Sequence, residues 1–235
     1  MGDDSSASTY LGQKGYSIYK DCISVQEQQH IRDSLTVRAF VPKAPVQPPS
    51  FTIYRESHKK IYVPRYFGVN MYGEPDETRI TNGEAISLEF KGELRDYQNR
   101  IVDKYISSLS DSIGGGLLEI PCGRGKTVMA LKIIAKLGLK TLIIVHKGFL
   151  MNQWKERIEQ FLPDCRVGII QGQIIDIDNK DIVIGMLQSL SMKEYPAELW
   201  SSFGTTIVDE CHHISSEVFC RSLQSIVTKH TLGLS

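Results

Sequence analysis

The chain has 235 residues, of which 41% are hydrophobic and 23% are charged, and its 27 basic residues balance its 27 acidic residues. This composition is typical of a globular protein that buries at least one sizeable core. Because the net charge is zero, overall charge does not attract a polyanion, and any nucleic-acid site must be a local surface.

The cysteine pattern and the hydropathy bear on the cellular compartment. The five cysteines are scattered and show no CxxC pairing, which argues against a disulfide framework and a zinc site and favours a reducing compartment. No segment approaches the roughly 18 apolar residues of a membrane span. We therefore expect an intracellular protein, cytoplasmic or nuclear, with no membrane partner.

The N-terminal segment begins with a polar stretch. Residues 1–15 are acidic and polar, and we expect them to form a flexible tail. Ser24 and Glu27 then have the spacing of a capping box, in which each residue satisfies a backbone donor of the other. This spacing predicts a short helix that begins at Val25.

The next segment has β character. Residues 51–67 contain two runs of β-branched and aromatic residues around the polar stretch ESHKK, which predicts a β-hairpin. With the helix and the proline-rich connector VPKAPVQPPS, it would form a small accessory region over residues 16–88. Its interleaved basic and aromatic side chains either pack within the protein, which we prefer, or grip nucleic acid. These side chains are Tyr54, Arg55, His58, Lys59, Lys60, Tyr62, Arg65, Tyr66 and Phe67.

Residues 89–235 have a different pattern. The stretch LRDYQNRIVDKYISSL has apolar residues at helical spacing. After it, the apolar runs GLLEI, TLIIV, VGII, DIVIG and TTIVD alternate with segments of helical period. Strands that are apolar on both faces predict a parallel sheet flanked by helices, and therefore an α/β domain.

The segment EIPCGRGKTVMA joins a predicted strand to a predicted helix, the context that a phosphate-binding loop requires. Glycines such as Gly123 and Gly125 let the backbone approach a phosphate at the N-terminus of the helix. Lys126 would then reach the β- and γ-phosphates of a nucleotide, and the Thr127 hydroxyl would bind Mg²⁺. Ile120 stands where the general GxxxxGK[ST] pattern has glycine, so an ordinary glycine-rich turn is the alternative.

A second motif, TTIVDECHHI, ends an apolar strand in two adjacent carboxylates. Because parallel strands deliver their loops to the same edge of the sheet, Asp209 and Glu210 should lie near the glycine loop. Asp209 can hold Mg²⁺, through a water molecule, and Glu210 can orient and deprotonate an attacking water. The two motifs together predict a site that hydrolyses ATP with Mg²⁺.

The sequences GRGKT and DECH together resemble the first RecA-like motor domain of superfamily 2 helicases and translocases, in the DExH branch. In that family Ile120 is an ordinary variation. The resemblance is closest to the transcription and repair helicase of the general transcription factor, type III restriction motors and helicases of large DNA viruses. It implies a RecA-like parallel sheet over residues 89–235, preceded by a small α+β region, and points to a large DNA virus as one source.

The resemblance implies further roles for the nucleotide site. LRDYQ is similar to the adenine-side motif, so Gln98 would read the adenine edge with support from Arg95; a helix-surface glutamine is the alternative. His212 would link the site to the next motif. The implied nucleotide-binding residues are Arg95, Gln98, Gly123, Arg124, Gly125, Lys126, Thr127, Asp209 and His212, with Lys126 and Glu210 catalytic.

Two other segments are similar to motifs that contact a nucleic-acid strand. VHKGFLMNQW implies that His146 and Lys147 face a phosphodiester backbone, and Trp154 in the same segment is expected in the core. GMLQSL implies that Gln188 and Ser189 bond sugar-phosphate oxygens, with a helix cap as the alternative.

The closing TLGLS is similar to the strand that enters the Ser-Ala-Thr coupling motif. The resemblance therefore implies a longer protein whose second RecA-like domain supplies charge-stabilising arginines. The expected function is that of an ATP-dependent helicase on nucleic acid, with DNA preferred, and this chain alone is expected to bind ATP weakly and hydrolyse it barely. A double-strand translocase and a nonhydrolytic ATP-gated binding module are the alternatives.

Overall fold

The structure is a computed structural model that describes residues 8–38, 46–109, 114–214 and 217–235. The chain divides into two compact units. The first comprises Met1–Arg79 with Leu223–Val227, and the second comprises Ile80–Ser222 with Thr228–Ser235. The domain limit that the sequence suggests at residue 88 stays a prediction. Among the described residues, no helix has the length and apolar character that crossing a membrane requires.

The first unit is built on a five-stranded sheet. Its elements are β1 (Thr9–Gly12), β2 (Gly15–Tyr19), α1 (Val25–Ser34), β3 (Thr36–Val37), β4 (Phe51–Thr52), β5 (Arg55–Glu56), β6 (Lys60–Val63), α2 (Arg65–Tyr72) and β7 (Glu77–Thr78). The sheet has the strand order β5-β6-β2-β1-β7, and β3 pairs separately with β4. The core of this unit contains Tyr16, Ile18, Ile31, Leu35, Ile61 and Val63.

Two predictions for this unit are confirmed. Helix α1 begins at Val25 with the expected capping box, in which the Glu27 N–H donates to Ser24 Oγ at 3.2 Å and the Ser24 N–H donates to Glu27 Oε2 at 2.8 Å. Strands β5 and β6 form the antiparallel hairpin around the polar turn, with Glu56 opposite Ile61. Local sequence signals were sufficient for both features.

Two other predictions are wrong for reasons that involve distant residues. The expected β segment ends at Val63, because Arg65–Tyr72 is a helix. In this helix Gly68 packs against Tyr16, and a Cβ at Gly68 would lie 2.2 Å from the Tyr16 ring. The expected tail contains β1. The backbone N–H of Thr9, the first residue of β1, donates to Asp76 Oδ2 at 2.9 Å.

Several basic and aromatic side chains of residues 54–67 contact other residues of this unit. Tyr54 and Phe67 pack against the core, and Arg65 is only 9% exposed. The Lys60 ammonium lies instead over the Tyr19 ring, 4.4 Å from its centroid. These contacts favour the packing interpretation.

The second unit contains a seven-stranded sheet. Its elements are α3 (Asp96–Ser108), β8 (Gly115–Leu118), α4 (Lys126–Leu137), β9 (Thr141–Val145), α5 (Gly148–Phe161), β10 (Val167–Gln171), β11 (Ile174–Asp176), β12 (Ile182–Met186), α6 (Leu187–Met192), α7 (Ala197–Ser201), β13 (Thr205–Val208), α8 (Glu217–Leu223) and β14 (His230–Leu234). The strand order is β11-β10-β12-β9-β13-β14-β8. All neighbours pair in parallel except β10 and β11, which form an antiparallel hairpin at one edge.

This sheet confirms the predicted α/β fold, since each of the five apolar runs contributes a strand. Strands β9 and β13 are buried along their whole lengths, as strands covered on both faces must be. Helices α3, α4 and α5 contribute side chains to the same core. The loops that follow β8, β9 and β13 leave the sheet at its carboxyl edge, where ligands bind in open α/β sheets.

At the amino end of β12, away from the loops just described, a buried carboxylate predicts a measurable effect of pH on stability. Asp181, which is 5% exposed, accepts hydrogen bonds from the Arg166 backbone N–H at 2.8 Å and from the Arg166 guanidinium at 2.6 Å. These bonds to Arg166 hold the pKa of Asp181 below its usual value. A lowered pKa stabilises the fold above the pKa of the unfolded state, and the effect is lost as the pH falls through the pKa of the folded state.

We expect Asp181→Asn to lower the free energy of unfolding by about 2 kcal/mol at pH 7, because it removes charge-assisted hydrogen bonds from a buried site. The difference from wild type should shrink as the pH falls below about 4, the usual range for an aspartate. Denaturant unfolding at several pH values measures both effects. Asp178→Asn, at an exposed position of the same loop, is the control. An equal loss of stability in the two variants would contradict the prediction.

Candidate nucleotide-binding site

The glycine-rich loop has a backbone that only glycine adopts readily. Gly123 and Gly125 have φ values of +78° and +85°, and α4 begins directly after them at Lys126. A Cβ at Gly123 would meet nothing within 4 Å, so the loop is open on that side. The open, glycine-lined N-terminus of a helix is a site to which an anionic phosphate can come close.

Helix α3 supports this loop from behind. The Tyr97 hydroxyl and Gln98 Nε2 both donate to the Arg124 carbonyl, each at 3.0 Å. Gln98 Oε1 accepts the Arg95 backbone N–H at 2.9 Å, and Gln98 is only 7% exposed. The structure thus places Gln98 against the glycine loop, with both ends of its amide bonded to backbone atoms.

The acidic motif meets the glycine loop at the edge of the sheet. Asp209 and Glu210 directly follow β13, and Glu210 has a φ of +49°, which is uncommon for a residue with a side chain. Lys126 Nζ lies 3.7 Å from Glu210 Oε1. The structure therefore brings together the two motifs that the sequence pairs, although β8 and β13 are separated in the sheet by β14.

Asp209 is the most constrained carboxylate of the site. Its Oδ1 accepts the Glu210 backbone N–H at 3.0 Å, and its Oδ2 accepts the Trp154 indole N–H at 2.8 Å. Burial raises the pKa of Asp209 above its usual value, and the hydrogen bond from Trp154 opposes that shift. The sequence predicts correctly that Trp154 lies in the core, where it is 1% exposed, but does not reveal this bond.

The oxygen atoms near the loop suit a hard cation. Thr127 follows Lys126 in the first turn of α4, and Asp209 carries a carboxylate. Among the described ranges, no cluster of three or more His, Cys, Asp or Glu side chains could hold a metal by itself. Mg²⁺ in such sites binds one or two carboxylates together with nucleotide phosphates, so the donor set fits a magnesium ion that a nucleotide completes.

His212 bridges two segments beside the acidic motif. Its Nδ1 lies 3.0 Å from Ser235 Oγ and 3.5 Å from Glu210 Oε2. Ser235 in turn pairs with the strand that leads into the glycine loop, because its N–H donates to the Leu118 carbonyl at 3.1 Å. The position of His212 suits the linking role that the resemblance implies.

The residues predicted to contact nucleic acid lie along the same edge of the sheet. His146 and Lys147 follow β9, and Gln188 Nε2 donates to the His146 carbonyl at 2.7 Å. Ser189 Oγ accepts the Gly172 N–H at 2.8 Å. The residue before α6 makes no capping hydrogen bond with its side chain, and neither Gln188 nor Ser189 caps this helix. Phe149, which the sequence does not single out, is 63% exposed.

A mostly parallel α/β sheet with a glycine loop before one helix and paired carboxylates after another strand of the same sheet defines a RecA-like nucleotide-binding domain. Residues 91–235 match the family described as type III restriction enzyme, res subunit. The chain belongs to this family. The predicted membership of superfamily 2 is confirmed.

The relatives extend over more than this chain. A protein of Acanthamoeba polyphaga mimivirus named as an ATP-dependent RNA helicase is 35% identical over 234 residues, which are 97% of this chain and 44% of the relative. The DNA 3'-5' translocase XPB2 of Sulfurisphaera tokodaii is 33% identical over 178 residues, 73% of this chain and 38% of the relative. The chain thus spans less than half the length of either relative.

Solved structures share the fold. The UvsW helicase from bacteriophage T4 is similar with a TM-score of 0.58 and 18% identity, over 90% of this chain and 86% of that chain. The SWI2/SNF2 ATPase core of Sulfolobus solfataricus in complex with dsDNA has a TM-score of 0.52 and 19% identity, over 66% of this chain and 34% of that chain. These likenesses confirm the RecA-like fold.

Proposed function

We propose that this chain is the ATP-binding part of an ATP-dependent nucleic-acid helicase. The observation that carries the proposal is the 3.7 Å approach of Lys126 Nζ to Glu210 Oε1, which unites the phosphate loop and the acidic motif in one site. Family membership and the names of the relatives support it. Residues 16–88 form an accessory region in this proposal, and residues 89–235 form the first RecA-like domain.

We assign the roles of the site residues from their positions and from the motifs that they match. The backbone from Gly123 to Gly125 and the N-terminus of α4 cradle the phosphates of ATP, and Lys126 balances their charge. Thr127 would hold Mg²⁺ directly and Asp209 would hold it through a water molecule, and the ion would supply charge neutralisation when it is bound. Glu210 orients the attacking water and accepts its proton. Arg95 and Gln98 serve the adenine side, and His212 links the site to Ser235.

The nucleic-acid track lies on the same edge of the sheet in this proposal. His146, Lys147, Gln188 and Ser189 contact a strand, and the exposed ring of Phe149 is available for stacking on a base. The names of relatives divide between RNA and DNA. We propose DNA because two archaeal relatives, 33% and 31% identical to this chain, are named as a DNA translocase and a DNA helicase. The second RecA-like domain belongs to a longer protein, which acts inside the cell.

Turnover of ATP on different polymers tests this proposal. We expect the full-length protein to hydrolyse ATP at a rate that DNA raises at least about 10-fold, while RNA raises it less, because strand binding completes the cleft between the two domains. The chain of 235 residues alone should hydrolyse ATP barely, since arginines from a second domain are worth roughly 10³- to 10⁵-fold in related enzymes.

The same assay, run beside a measurement of strand separation, distinguishes the alternatives. Stimulation by double-stranded DNA without strand separation would identify a translocase, and stimulation by RNA alone would overturn the choice of DNA. ATP binding without turnover in any condition would favour a nonhydrolytic ATP-gated module and contradict the proposed helicase.

A further inference from the structure

The contact between Trp154 and Asp209 is the one side-chain hydrogen bond described between helix α5 and the carboxylates of the acidic motif. Trp154 is 1% exposed and Asp209 is 9% exposed, so the bond is shielded from water. An indole N–H that is buried without a partner is costly, and a buried carboxylate needs hydrogen bonds still more. Each group thus satisfies the other across 55 residues of sequence.

The bond fixes the direction in which the carboxylate points. With Oδ1 held by the Glu210 N–H and Oδ2 held by Trp154, rotation about the Cβ–Cγ bond would break both contacts. Each oxygen accepts one bond from the protein and keeps a lone pair for a further ligand. The carboxylate is thus oriented and still able to accept a water molecule or bind a cation.

We propose that Trp154 is a positioning residue for metal binding, whose indole N–H orients Asp209 toward the magnesium ion of the nucleotide complex. This inference rests on the proposed function, in which Asp209 holds the magnesium ion through a water molecule. Substitution of a residue that orients the groups around a bound metal typically lowers metal affinity about 10- to 100-fold. Removal of the indole N–H is expected to have an effect of this size.

The chain contains a matched control for this inference. It has two tryptophans, and Trp200 is as deeply buried as Trp154, with 2% exposure. Within the described part of the chain, Trp200 Nε1 has no hydrogen-bond partner. Substitution by phenylalanine removes an indole from the core at both positions, but only at position 154 does it remove a donor from Asp209.

The experiment measures ATP binding by calorimetry at a series of Mg²⁺ concentrations for wild type, Trp154→Phe and Trp200→Phe. We expect Trp154→Phe to raise the Mg²⁺ concentration needed for half-maximal ATP binding at least about 10-fold, and Trp200→Phe to leave it unchanged. Equal Mg²⁺ requirements in the two variants would overturn the inference. A wild-type chain that binds no ATP with Mg²⁺ would instead overturn the proposed function.

A spectroscopic measurement keeps the inference testable if Trp154→Phe does not fold. In the Trp200→Phe variant of the 235-residue chain, Trp154 is the sole indole. Its emission should change when Mg²⁺ is added to the ATP complex, because its acceptor Asp209 then bonds to water of the metal ion. ATP added without Mg²⁺ should leave that emission close to its starting value. An emission that stays constant while calorimetry detects Mg²⁺-dependent ATP binding would contradict the inference.

Discussion

Glu210→Gln is expected to lower ATP hydrolysis by the full-length protein about 10²- to 10⁴-fold, the usual contribution of a general base. Glutamine keeps the size of the side chain and can adopt the same backbone conformation, but it cannot accept the proton of the attacking water. ATP binding should persist or become tighter, because the carboxylate that lies 3.7 Å from Lys126 Nζ is neutralised and no longer competes with the phosphates. Steady-state turnover and calorimetry measure the two effects separately.

Glu156→Gln provides the control, since it makes the same chemical change at an exposed position of α5. Turnover equal to wild type is expected there. Retained turnover in Glu210→Gln would show that another group activates the water, whereas loss of ATP binding in this variant would indicate a binding role for Glu210. Either result would contradict the assignment of the base.

The success of the sequence predictions depends on how local the determining interactions are. The glycine loop, the acidic motif and the apolar strands are contiguous segments whose chemistry and period are visible in the sequence, and the structure brings Lys126 and Glu210 together as predicted. The parallel sheet followed from strands that are apolar on both faces. For these features, neighbouring residues contain most of the information.

The predictions that failed depend on contacts between distant residues. Strand β1 is held by Asp76, which lies 67 residues from Thr9 in the sequence, so its polar segment resembles a tail when it is considered alone. Helix α2 contains aromatic residues that favour a strand, yet Gly68 permits close packing against Tyr16. In both cases the tertiary contact outweighs the local preference.

In the nucleotide-binding site, too, the sequence reveals local motifs but not the contacts between distant residues. The sequence identifies Gln98 by its motif, but its bond to the Arg124 carbonyl arises from the packing of α3 against the glycine loop. The sequence also predicts that Trp154 is buried, and a buried indole N–H usually has an acceptor. Only the fold, which places α5 beside the end of β13, identifies that acceptor as Asp209.

Lys126→Ala is expected to lower turnover strongly and, unlike Glu210→Gln, to weaken ATP binding as well. Lys126 begins α4 with its side chain 15% exposed, so its ammonium acts on the phosphates with little screening by water. Loss of the Lys126 charge from its pairing with the phosphates costs about 2 kcal/mol or more of binding free energy, which corresponds to at least about 30-fold weaker ATP binding. Calorimetry with ATP and Mg²⁺ measures this loss directly.

Lys136→Ala is the matched control, because Lys136 lies near the end of the same helix and pairs with Asp103 at the surface. It should bind ATP as wild type does. Wild-type affinity in Lys126→Ala would show that the loop does not hold a phosphate in the proposed way. If the assignment is correct, the double variant Lys126→Ala with Glu210→Gln should turn over no more slowly than the poorer single variant, because residues that act in one step are not additive. Losses that multiply would place the two residues in separate steps.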